Sequence, residues 1–200
     1  MSATTTSVGR PRAFDVDVAL EKALEVFWRK GYEGTSLPDL TEAMGINKPS
    51  LYAAFGNKEQ LFLKAIELYE QRPCSFFMPA LAKPTAYQVA EHMLLGAVAA
   101  SKDPVAPKGC VLVQGALACS DSANTVKQAL IAKRQAGNLQ LIARFEQAKA
   151  EGDLAADADP VALATYLSTV LQGMSIQAAS GVDSELLDKI AKTALQVFAR

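Results

Sequence analysis

What the sequence lacks narrows its function first. The 200 residues hold a single histidine, His92, and contain no G-x-S-x-G, H-E-x-x-H or phosphate-loop pattern, while the carboxylates are scattered without a recurrent spacing. An enzyme is therefore not expected. Cysteine is scarce as well: Cys74, Cys110 and Cys119 form no close pair and no metal-like spacing. This usage fits a reducing compartment and points to no cofactor and no metal ion. The chain has no run of about twenty apolar residues to span a membrane, and residues 1–9 lack an apolar core of signal-peptide type. The expected location is the cytoplasm. Excess charge is missing too, since the net charge is −1, which argues against a protein wrapped along its whole surface in nucleic acid.

What is present is material for helices. Half of the residues are hydrophobic, enough for one large domain or two small ones. Residues 15–30 place Val16, Leu20, Ala23, Leu24 and Phe27 at helical spacing, with acids at the start. Residues 31–34, Gly-Tyr-Glu-Gly, break this helix. Ser36 and Asp39 then have capping-box spacing for a second, shorter helix to Met44, with Pro38 tolerated in its first turn. Gly45 stops that helix and Asn47 caps a third, in which Pro49 suits the first turn, while Leu51 and Phe55 lie four apart on one side. Lys48, Ser50, Tyr52 and Ala53 fall on the other sides. After Gly56, Asn57 and Gln60 repeat the capping-box spacing and open a fourth helix over residues 57–71. Arg10 and Arg12 flank a proline at the end of the Ser/Thr-rich tail. They form either an arm for a narrow minor groove or a solvated tail, and composition leaves both readings open.

The stretch from about residue 19 to residue 61, with GYEGTSLPDL, GINKPSLYAAF and NKEQL, resembles the TetR family of transcriptional regulators. The resemblance implies an all-α fold: an N-terminal three-helix helix-turn-helix domain with a connecting fourth helix, then a C-terminal bundle of about five helices that dimerises. It divides the chain into an arm over residues 1–12, a reading domain over 13–60, and a ligand-binding and dimerisation domain over 61–200. Carried over position by position, it implies phosphate contacts at Thr35, Ser36, Lys48, Tyr52 and Lys58, and base-facing roles for Lys48, Pro49, Ser50 and Ala53. With Pro and two Ala on the reading helix, methyl contacts and DNA shape are expected to carry part of the specificity.

Beyond residue 84 the sequence is helical but carries no motif. Helices are expected over residues 85–101, 110–119, 122–151, 160–180 and 184–200. The last two hold more apolar and small-residue surface than one chain needs on one face, which nominates Leu163, Leu167, Leu171, Met174, Leu187, Ile190, Ala194, Leu195 and Phe198 for a two-fold dimer interface. Packing within the monomer is the alternative for each. Cys110 follows Lys108 and Gly109 where a short helix begins, and a cation and a helix end both favour a thiolate. The GCVLV stretch is also similar to a TetR subgroup that includes electrophile and oxidant sensors, which makes Cys110 the candidate for sensing a signal. The apolar residues Val111 to Val113 support the opposite reading of a buried, inert thiol. The function implied is a homodimeric regulator, a repressor released from palindromic double-stranded operator DNA by a small-molecule or redox/electrophile signal. The rival is a non-catalytic helical dimerisation or interaction module.

Overall fold

A computed structural model describes residues 14–71, 76–117 and 123–199. Among these residues the chain forms ten α-helices and no strand: α1 (Val16–Lys30), α2 (Leu37–Met44), α3 (Lys48–Phe55), α4 (Lys58–Gln71), α5 (Phe77–Leu81), α6 (Ala86–Lys102), α7 (Val111–Leu117), α8 (Asn124–Ala150), α9 (Pro160–Ala179) and α10 (Ser184–Leu195), closed by a 3₁₀ turn at Gln196–Phe198.

Local chemistry sets most of the helix starts. The Asp15 carboxylate accepts the amides of Asp17 and Val18 at the head of α1, and Asp159 and Asp183 do the same for α9 and α10. Thr85 caps α6 through the amide of Gln88. The connection between α2 and α3 turns on Gly45, whose φ of 67° and ψ of 28° lie in the left-handed region that glycine enters without steric cost.

Two apolar clusters hold these helices. The first joins Leu24 and Phe27 of α1, Leu40 of α2, Leu51 and Phe55 of α3, and Leu61, Phe62, Ala65 and Ile66 of α4. It also takes in Val111 of α7 and Val126 and Leu130 of α8, so the first four helices are packed onto the rest of the protein rather than tethered to it. Through Leu61, Phe62, Ala65 and Ile66, α4 shares its core with α1, α2 and α3. The second cluster is built from α6, α8, α9 and α10, with Phe198 packed 5.7 Å from the ring of Phe145 and 6.2 Å from that of Tyr166.

The second core corrects most of the expected interface. Leu167, Met174, Leu187, Ala194, Leu195 and Phe198 are all buried within the monomer. Their side chains have no surface left to offer a second chain. Leu163, Leu171 and Ile190 are only partly covered, and Val161, Ile176, Leu186 and Val197 are exposed. The short helix α5 lies between residue 71 and residue 85, where no helix is expected from the sequence. It is held by neighbours, with Phe77 against Gly137 of α8 and the preceding Phe76 against Gly96 of α6, where an added Cβ would approach the Phe76 Cγ to 2.5 Å.

Candidate nucleic-acid interface

The third helix presents its polar side because its apolar side is fully used. Leu51 is 0% exposed and Phe55 2%, each contributing about 1.5–3 kcal/mol by leaving water. Lys48, Pro49, Tyr52 and Ala53 are all exposed: at 3.6 residues per turn Pro49 and Ala53 lie opposite the buried pair, Tyr52 and the half-buried Ser50 flank them, and Lys48 is free because it stands in the first turn. Asn47 fixes the entry by accepting the Ser50 amide at 2.8 Å. The Lys48 ammonium lies 5.9 Å from the centroid of the Tyr52 ring, so the two share one patch of surface.

The starts of the neighbouring helices α2 and α4 are fixed by their own caps. At the start of α2 the capping box is complete: the Asp39 amide donates to the Ser36 hydroxyl at 3.2 Å, and the Ser36 amide donates to the Asp39 carboxylate at 2.8 Å. Lys30 of α1 also donates to Asp39, at 2.6 Å. This bond, followed by those from Ser36, holds the Asp39 carboxyl far below the usual carboxylate range. At the start of α4, Asn57 and Gln60 close a second reciprocal box at 3.1 and 2.8 Å. Lys58 is half-buried there, its pKa lowered by that burial and raised in part by Glu33. Its ammonium rests over the face of Tyr32 at 4.3 Å. Sequence spacing gave Tyr32 no role beyond breaking α1.

Ser36 caps α2, Lys48, Pro49, Ser50, Tyr52 and Ala53 belong to α3, and Lys58 opens α4, three helices that share the first core. Thr35 is different. Its side chain is 1% exposed and its hydroxyl donates to the Gly31 carbonyl at 2.6 Å. Its hydroxyl pins the turn between α1 and α2, and this corrects its expected phosphate contact. Arg10 and Arg12 lie outside the described residues, as do Cys74 and Cys119.

Cys110 sits half-buried just before α7. The Tyr69 hydroxyl of α4 donates to its Sγ at 3.5 Å, and Tyr69 in turn meets Trp28 of α1 edge to face at 4.9 Å. The cation expected to polarise this thiol is committed elsewhere: the Lys108 ammonium donates to the carbonyls of Ser101, at 2.7 Å, and Asp103 at the end of α6. Among the described residues, no group of His, Cys, Asp and Glu could hold a metal ion, and no helix is long and apolar enough to cross a membrane.

The chain is similar to known regulatory proteins along most of its length. Residues 19–65 match the family described as bacterial regulatory proteins, tetR family, and residues 91–194 match the tetracyclin repressor-like C-terminal domain. The chain is 37% identical over 201 residues to the HTH-type transcriptional repressor ComR of Escherichia coli (strain K12), covering 96% of this chain and 92% of that protein. It is 31% identical to the uncharacterized HTH-type transcriptional regulator YezE of Bacillus subtilis (strain 168), covering 96% and 100%. Among solved structures, a cysteine mutant of the TetR family transcriptional regulator CifR, complexed with 26-base-pair double-strand operator DNA, is 42% identical with a TM-score of 0.89, covering 94% of this chain and 98% of that one.

Proposed function

Because the chain belongs to the TetR family and is a DNA-binding transcriptional regulator of that kind, we propose that it works as a homodimeric repressor whose two reading heads hold a palindromic operator until a signal releases it. The observation that carries this reading is the α3 surface. Buried Leu51 and Phe55 lock a helix whose exposed side chains are Lys48, Pro49, Tyr52 and Ala53, and Lys58 opens the helix that follows. In this reading Lys48, Tyr52 and Lys58, with Ser36 at the α2 terminus, hold phosphates, and Pro49, Ser50 and Ala53 face base edges.

Two copies join through the outer faces of α9 and α10. Supporting this, residues 160–182 contain no charged side chain at all, although Val161 and Ile176 of that segment are exposed. A Cβ placed on Gly173 would meet nothing within 4 Å, which leaves room for a partner helix to approach closely. Leu163, Leu171 and Ile190 then complete their burial against the second copy. Paired heads would reach successive major grooves about 34 Å apart. Release is a population shift, in which a small-molecule effector or a chemical signal favours a dimer with the wrong head separation. Cys110 is where a chemical signal acts most directly, because its Sγ is bonded to Tyr69 of α4, the helix that carries Lys58.

Selection of duplexes from a random library tests the base-facing set. The parent should return an inverted repeat, and replacing Ala53 or Ser50 with a bulky residue should return a different one. An unchanged selected site would refute the base-facing assignment.

A further inference from the structure

Lys58 occupies an uncomfortable place for a cation. It is the first residue of α4, at the positive end of the helix dipole, and burial lowers its pKa further. Glu33 offsets part of this, and the Tyr32 ring lies against the same cation, its centroid 4.3 Å from the ammonium. That ring is not free to turn aside. It stacks on Phe27 at 6.3 Å with the planes 20° apart, and it meets Phe62 at 5.2 Å and 68°. Phe27 and Phe62 are both completely buried and contact each other edge to face at 4.9 Å. The face under Lys58 is therefore fixed by the core of the reading head.

We propose that Tyr32 is a positioning residue for DNA binding, its ring face holding the Lys58 ammonium at the α4 terminus so that the side chain is already ordered when a phosphate arrives. The inference rests on the reading that Lys58 contacts DNA. An ammonium resting on a ring keeps donors on its far side, so a phosphate can be met without giving up the ring. A lysine otherwise loses much rotamer freedom on binding, and a platform shifts that loss to folding. The role belongs to the ring and not to its hydroxyl.

A double-mutant cycle tests this, read as affinity for a fluorescent duplex that the parent itself selects from a random library. Tyr32→Phe should bind as the parent does. Tyr32→Leu should weaken binding about threefold per head, or about tenfold for a duplex held by both heads. In a Lys58→Ala background, Tyr32→Leu should cause no further loss. Equal losses in the two backgrounds would overturn the proposal, because a purely structural role for Tyr32 acts whether or not Lys58 is present. Pentafluorophenylalanine at position 32, compared with phenylalanine there, gives a second readout that survives poor folding of Tyr32→Leu. The ring shape is kept while the electrostatics of its face are reversed, so weaker binding is expected and equal affinity refutes the proposal. A parent that binds no duplex overturns the DNA-binding reading and this inference with it, whereas a parent that binds tightly with an additive cycle overturns this inference alone.

Discussion

Replacing Lys58 by alanine should change how DNA binding responds to salt more than it changes the fold. The side chain is half-buried at a helix N-terminus where a cation is unfavourable, so its removal should leave the melting temperature unchanged or slightly raised. Its loss removes one phosphate contact from each head, two from a dimer. With about 0.9 unit of log-log slope per phosphate, the salt dependence should become shallower by about 1.8 units. Between 50 and 200 mM salt, about 0.6 of a decade, the variant should therefore lose about twelvefold less affinity than the parent. Fluorescence anisotropy of a labelled duplex across that range measures both slopes. Lys192→Ala is the control, since Lys192 lies on α10 and pairs with Asp188 at 2.6 Å. A Lys58→Ala slope equal to that of the parent would refute the phosphate contact. An equal change in the Lys192→Ala slope would show that general charge, not position, governs the effect.

Phe55→Ala empties a site that is 2% exposed beneath the reading helix, so urea denaturation should show a loss of about 3–5 kcal/mol; a loss under 1 kcal/mol would mean that α3 is not anchored there. Leu171→Asp should sediment as a folded monomer, while Leu195→Asp, at a buried position, should fail to fold stably, and an intact Leu171→Asp dimer would remove α9 from the interface. Asp39 has a folded pKa below its unfolded one, so its bonds with Lys30 and Ser36 stabilise the head fully above about pH 4 and less as pH falls further. Asp39→Asn should thus flatten the acid limb of a stability profile, and identical acid limbs would contradict the assignment. Cys110→Ser should still bind operator but resist release by a mild thiol-directed electrophile; release equal to that of the parent would move sensing to a small-molecule pocket among the helices between Thr85 and Ser180.

The reading head was legible in the sequence because its signals are local. Ser36 with Asp39, Asn47, and Asn57 with Gln60 act within one turn, and all three sets make the capping bonds their spacing implies. Leu51 and Phe55 were legible for the same reason, as a pair four residues apart. What depends on distant partners was not. Helical periodicity identified an apolar face containing Leu167, Leu187 and Leu195, but it does not say whether the same chain or a second copy covers that face. Here the same chain does. Likewise α5 is five residues long with a proline inside, too short for a periodic signal, and is held through Phe77 on Gly137. Lys108 is two residues from Cys110 in sequence, yet its bonds go to the end of α6. Tyr32 lies 26 residues before Lys58, and no spacing rule links a turn tyrosine to that ammonium.

Reading of DNA sequence by the α3 surface is tested most directly by one comparison: the affinity of the protein at physiological salt for its library-selected duplex against a scrambled duplex of the same composition. Sequence-specific reading predicts a ratio of about 10³ or more, with one dimer per duplex. Equal affinities for the two duplexes, with the same salt slope, would contradict it.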